Sequence, residues 1–381
     1  MVVLPLVVSA VIVGVAGLGG TARLGRLGAR SVLVFLGLGL LGVLAGLLLG
    51  RIGLPLAPLS TEATTALRAA AASGQADFGE AARRLPGFGR FIVDLVPANP
   101  VQAAAEGALL PVIVFSVLFG AATATLPDET RSTITGLAEA ALAAVIRLIS
   151  WFMVLAPIGV ACLVAPVAAR LGWEMLASVG VFIGVLVVGY VSFTALVLAP
   201  VVRFVARVNV RRFVAVATPA YAVGFSTTSS MAALPALLDA AVRGLRISRP
   251  VASFVLPLAA TLNRPGSGLY QAVAALFVAQ LYGVSLSAPQ LAVLAGTMLV
   301  MTLSVAAIPR GTVLSLAPAL LAVGLPLDSI GLLIGVDQVP DMFRTATNVA
   351  GHLAATATVA RGEGEVPGGQ EEPDTFEGTR G

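Results

Sequence analysis

Residues 324–361 read GLPLDSIGLLIGVDQVPDMFRTATNVAGHLAATATVAR, and the polar residues inside this apolar run decide the fold. Asp337, Asp341, Arg344, Asn348 and His352 recur at helical spacing. At about 100° per residue they fall within an arc of about 80° on one face. The rest of the stretch is mainly Ala, Val, Leu and Thr. A helix over 327–360 is long enough to cross about 30 Å of hydrocarbon. An ionisable group inside such a span is costly unless it is paired or lines an aqueous cavity. A one-faced polar stripe of this length therefore belongs against a binding cavity. The competing reading is an ion-paired seam between helices, with Asp341 and Arg344 pairing across three residues.

The whole chain carries the same signal. Its 381 residues are 58% hydrophobic and 11% charged, with a mean hydropathy of +0.98, where soluble proteins are about a quarter charged. The expectation is an all-α integral membrane protein that crosses the bilayer several times. All 23 basic residues are Arg, spread between apolar segments and not gathered with aromatics, so no nucleic-acid face is expected. One His and one Cys, Cys162, exclude a disulfide within the chain and a His/Cys zinc site. No catalytic residue, metal or cofactor is expected.

Spans are expected near 1–21, 30–55, 106–125, 134–166, 174–204, 250–281 and 327–360. Residues 209–243 and 287–325 are apolar but broken by FSTTSSMAALP at 225–235 and LSVAAIPRGT at 303–312, and read as two re-entrant hairpins. Residues 56–104 form a more polar connection. Arg23, Arg26, Arg30, Arg203, Arg207, Arg211, Arg212, Arg243, Arg246, Arg249 and Arg361 fall between or beyond these segments, and placing them on the cytoplasmic side gives a consistent orientation in the cell membrane. From Gly362 onward, six acids and Arg380 give a net charge of −5, leaving +9 on residues 1–361. Residues 362–381 are expected to be a disordered acidic tail.

The span at 250–281 breaks at Asn263-Arg264-Pro265-Gly266-Ser267, where Pro removes a donor and Gly loosens the helix, so that carbonyls are freed for a ligand or ion. Hairpin, polar tip and a span with a polar defect occur twice. Such repeats around a midplane site are characteristic of secondary transporters. The Ser226–Ser230 tip offers hydroxyls and amides to an anion, although Ser and Thr also bond back within membrane helices.

These residues resemble the dicarboxylate/amino acid:cation symporters, which include the glutamate and aspartate transporters. The resemblance rests on ARLGRLGAR at 22–30, LPVIVFSVLFGAA at 110–122, LAPIGV at 155–160, FSTTSSMAALP at 225–235, LYQAVAALFVAQ at 269–280 and the stretch at 324–361. It implies a glutamate-transporter-like fold with inverted repeats, assembled as a homotrimer. The scaffold would be 1–21 with 56–166, and the mobile transport domain 22–55 with 174–361. Aligned with the family, Met1 falls inside the second span, so the first transmembrane helix is expected to be lacking. The resemblance also implies that Asp341 holds a substrate ammonium and Arg344 its side-chain carboxylate. Thr345, Asn348, Ser229, Ser230 and Ser267 match further substrate contacts, and the substrate would be L-glutamate or L-aspartate.

The ion sites depart from the pattern. The family writes Asn-Met-Asp-Gly-Thr where this chain has Asn263-Arg264-Pro265-Gly266-Ser267, and a sodium-binding Asp of the last span is His352 here. Hard cations need oxygen ligands, so proton coupling is expected over sodium, with Asn263, Arg264, Asp337 and His352 as the ion-coupling set. The alternatives are a C4-dicarboxylate carrier, an uncoupled facilitator, or a degenerate relative that does not transport.

Overall fold

The computed structural model describes residues 3–17, 21–56, 64–65, 67–68, 93, 95–153, 173–304 and 311–369. Among them every regular element is helical. The elements in order are α1 (Val3–Ala16), α2 (Thr21–Gly53), α3 (Pro100–Ala105), α4 (Leu109–Ala124), α5 (Asp128–Met153) and α6 (Trp173–Phe193). Then come α7 (Val210–Thr227), α8 (Leu234–Asp239), α9 (Arg249–Leu262), α10 (Pro265–Tyr282) and α11 (Ala288–Ser304), followed by α12 (Gly311–Leu314), α13 (Ala317–Ala322), α14 (Ser329–Val336) and α15 (Gln338–Gly362). Among the described residues, two helices, Arg23–Leu56 and Gly180–Val205, are long and apolar enough to cross a membrane individually, and Leu4–Ala16, Leu109–Ala124, Ala288–Thr302 and Gly311–Ala322 are shorter apolar helices.

The interruptions follow the sequence. The chain leaves α7 at Thr228, which is left-handed at φ +50°, and re-enters a helix at Leu234 with Pro235 in its first turn. The span at 250–281 splits into α9 and α10 at Asn263 and Arg264, with Pro265 starting the second half, where its missing N–H costs nothing. The expected single span at 327–360 is instead two helices that meet at Asp337. Residues 305–310, at the second expected tip, lie outside the described residues, as do Cys162 and LAPIGV.

α2 and α10 form the tightest seam. Gly42, Gly46 and Gly50, four apart on α2, let the backbone of α10 approach: a Cβ on Gly42 would lie 2.2 Å from Pro265 O and one on Gly46 2.5 Å from Leu269 O. Without a hydrophobic force between helices in lipid, close contact of small residues is what drives such pairing. α15 lies between α7 and α10, with Gly224 against Val349 on one side and Gly351 against Pro265 on the other. α1 packs on α4 through Gly120 and on α9 through Gly14.

Two expectations about the charged edge are corrected. α2 starts at Thr21, so Arg23, Arg26 and Arg30 are on the helix and not in a loop before it. Residues 363–369, expected to be a solvated tail, are docked. The Glu363 side chain is only 3% exposed and pairs with Arg30, with Arg26 at 3.8 Å and with Arg23 at 3.9 Å. Glu365 accepts from Ser248 N (3.0 Å) and Ser248 Oγ (2.5 Å), Gly368 N donates to Leu245 O (2.6 Å), and Arg212 donates to Gly368 O (2.6 Å). Because the three arginines are 37 to 65% exposed, each pair contributes little. Glu363→Gln is expected to lower stability by about 1 kcal/mol at low salt and by less at high salt, measured as melting temperature against ionic strength. A salt-independent shift would show that the strap is held by something other than charge.

Candidate functional site

Arg344 organises the centre of α15. Its guanidinium is 3% exposed and donates Nη1 to Asp337 Oδ1 (2.7 Å), Nη2 to Asp337 Oδ2 (2.9 Å) and Nη2 to Asp341 Oδ1 (2.6 Å). Its Cζ lies 4.5 Å from the centre of the Tyr270 ring, a cation–π contact from α10. Helical spacing brings this about: Asp337 is seven residues and Asp341 three residues before Arg344, one or two turns back on the same face. Thr345 Oγ1 donates to the same Asp341 oxygen at 3.3 Å.

The broken helix meets this stripe one turn further on. Asn348 Oδ1 accepts from Gly266 N (2.9 Å) and its Nδ2 donates to Ser267 Oγ (3.3 Å). The Asn348 amide thus takes up one of the backbone donors freed where α10 begins. Ser267 Oγ in turn lies 3.3 Å from Thr312 Oγ1, and Gln271 Nε2 donates to Ser315 Oγ (2.7 Å). A Cβ on Gly266 would be 2.8 Å from Arg344 O, so the Arg264–Gly266 turn lies directly on α15.

A cavity of about 760 Å³ opens over these groups, within the range of small-molecule sites. All seven residues expected to touch substrate line it: Asp341, Arg344, Thr345, Asn348, Ser229, Ser230 and Ser267. Arg264 lines it too. The tip hydroxyls are partly committed, since Thr227 Oγ1 donates to Val223 O (2.7 Å) and Ser229 Oγ accepts from Ala232 N (3.2 Å).

The other three residues expected to couple an ion are elsewhere. Asp337 is buried as the main partner of Arg344, away from the Asn263–His352 corner. Asn263 Nδ2 donates to Gly351 O (2.9 Å), which brings it beside His352 behind the cavity wall. His352 is fully buried in the middle of α15. Among the described residues, neither ring nitrogen nor Asn263 Oδ1 has a hydrogen-bond partner of good geometry. Asp341 and Arg344 are ion-paired within α15 at 2.6 Å, not across a seam between helices, and both line the cavity. Sequence reasoning missed Tyr270, three residues after Ser267 and thus on the same face of α10, and Thr312, just past Pro309 and Gly311.

Residues 1–362 match the family described as the sodium:dicarboxylate symporter family. The chain is 31% identical to the proton/glutamate-aspartate symporter of Escherichia coli (strain K12), covering 95% of this chain and 82% of that protein. It is 30% identical to the proton/sodium-glutamate symport protein of Bacillus subtilis (strain 168), covering 96% and 83%. To the C4-dicarboxylate transport protein of Anaeromyxobacter sp. (strain K) it is 30% identical, covering 96% and 82%. The chain belongs to the sodium:dicarboxylate symporter family.

Proposed function

We propose that this membrane protein is a proton-coupled secondary transporter of acidic amino acids in the cytoplasmic membrane. The observation that carries the reading is the cavity's donor set. A carboxylate for an ammonium (Asp341), a guanidinium for a carboxylate (Arg344), and Ser229, Ser230, Ser267, Thr345 and Asn348 for the remaining polar atoms line one cavity, with Arg264 as a second positive charge. The names of the relatives from Escherichia coli and Bacillus subtilis support it.

The working model has two re-entrant hairpins, at 209–243 and 287–325, related by inverted repeats. A transport domain formed by α2 and α6–α15 moves, elevator-like, against a homotrimeric scaffold that includes α1, α4 and α5. Arg264 supplies a fixed positive charge in place of a bound cation, and His352 carries the proton. Buried without a carboxylate partner, a charged imidazole gains nothing in the present arrangement, so proton uptake must accompany a change in its surroundings during the cycle.

The test is uptake of labelled aspartate into proteoliposomes under separate proton and sodium gradients. An inward proton gradient is expected to raise initial rates about tenfold or more over no gradient, and sodium alone to change them little. Stimulation by sodium alone would replace the proton reading with sodium coupling. One observation favours a second reading, a C4-dicarboxylate carrier: Asp341 is already paired with Arg344 at 2.6 Å and so does not require an ammonium. Succinate competing better than aspartate would select it.

A further inference from the structure

Residues 363–369 form one polar cluster at the ends of helices whose opposite ends line the cavity. α7 runs from Val210 to Thr227, and the α8 arm returns from Leu234, extended by a π-helical stretch at Ala240–Gly244. The turn between the arms lines the cavity with Ser229 and Ser230. At the far end, Arg212 of α7 donates Nε and Nη2 to Gly244 O (3.2 and 2.9 Å), which ties the two arms together. Its Nη1 reaches Gly368 O (2.6 Å), and Gly368 N donates back to Leu245 O (2.6 Å). Glu365 receives both the N–H and the hydroxyl of Ser248, the residue that precedes α9, at 3.0 and 2.5 Å.

The cluster fixes an angle that the rest of the packing leaves loose. Ser248 makes no side-chain cap bond to α9, so the Glu365 carboxylate supplies the anion that a helix start favours. Arg246, between the strap-bonded Leu245 and Ser248, is left-handed at φ +56°, a costly conformation for a non-glycine residue that persists where its surroundings over-determine it. Near its other end α7 rests on α15 through Gly224 against Val349 and through the Phe225–Phe343 edge contact. Those contacts are apolar and non-directional, whereas the bonds at the base are directed. With 18 residues, α7 is about 27 Å long. A tilt of about 5° at its base displaces the tip by about 2 Å, enough to break hydrogen bonds in the cavity.

We propose that the strap is a clasp that sets the angle of the α7–α8 pair, with Glu365 as the positioning residue that keeps Ser229 and Ser230 in register with Asp341 and Arg344. It rests on the reading of the cavity as a transporter's substrate site. Glu363 anchors the clasp from the other side, on Arg30, Arg26 and Arg23 of α2. α2 is held to α10 by the glycine seam at Gly42 and Gly46. The α7–α8 pair is thereby fixed to the same frame that carries Ser267 and, through it, Asn348.

The experiment measures initial uptake into proteoliposomes with inward proton and sodium gradients imposed together, so that the choice of coupling ion does not enter. The labelled substrate is aspartate or succinate, whichever the unmodified protein takes up. Glu365→Ala should raise KM about fivefold and leave the maximal rate per folded protein within about twofold. Ser248→Ala, which keeps the backbone bond to Glu365, should raise KM about twofold, and Ser248→Thr, which restores the hydroxyl, should match the unmodified protein. A strap that only stabilises the fold would lower the melting temperature and the maximal rate with KM unchanged, and that result for Glu365→Ala overturns the proposal. If Glu365→Ala does not fold, the Ser248 variants decide. A KM for Ser248→Ala above that of Ser248→Thr upholds the clasp, and equal values overturn it. If the unmodified protein takes up neither substrate, the transport reading fails and the clasp with it.

Discussion

Arg344→Leu is expected to abolish measurable uptake and to destabilise the protein by about 3–5 kcal/mol. The reason is what the substitution leaves behind. Asp337 is 3% exposed and both its oxygens are bonded to this guanidinium, so removing Arg344 strands a carboxylate where water cannot reach it. Asp341, held by the same group at 2.6 Å, loses its orientation in the cavity. Arg344→Lys retains the charge but lacks the planar fork that closes on both Asp337 oxygens while reaching Asp341, and a loss of about 2 kcal/mol is expected. Thermal melts in detergent and uptake of labelled substrate check both. Asp337→Asn added to Arg344→Met removes charge from both sides of the pair and is expected to recover most of the melting temperature without recovering transport. Equal melting of Arg344→Leu and the unmodified protein would mean that Asp337 is compensated by another group.

The parts of this arrangement that the sequence displays are those written locally. Pro265 and Gly266 announce the break in the 250–281 segment, Ser226–Ser230 the polar turn, and the spacing of Asp341, Arg344, Thr345 and Asn348 a single helix face. Contacts between residues distant in the chain are silent in it. Asp337 has the same spacing on the stripe as a coupling residue would have, and only the Arg344 fork closing on it reveals its partner. Arg23, Arg26 and Arg30 look like a loop because three cations at the start of a helix repel, until Glu363 arrives from the other end of the chain to neutralise them. The same contact explains why the acidic residues 363–369 are docked although their composition reads as solvated. Tyr270 looks like one more apolar residue of α10 until its ring is found on Arg344.

The α2–α10 seam supplies the second large effect. Gly42→Ala is expected to cost about 3 kcal/mol or more, although alanine is the better helix former. An intrinsic gain of about 1 kcal/mol is set against a Cβ placed 2.2 Å from Pro265 O and 2.9 Å from Pro265 C. Those are backbone atoms, so no side-chain rotation relieves the clash and α10 must move away as a whole. Pro265 is flanked by Arg264 and followed by Ser267 and Tyr270, so a shift there carries through to the cavity wall. Uptake should therefore fall along with stability. Gly37→Ala, on the same helix with open space at its Cβ, isolates the propensity contribution and is expected to leave both stability and uptake unchanged or slightly improved. Comparing the two by melting temperature and initial rate separates close backbone approach from helix propensity. A Gly42→Ala variant as stable as Gly37→Ala would mean that α2 and α10 are further apart than the glycine seam requires, and that the position of Arg264 in the cavity does not depend on it.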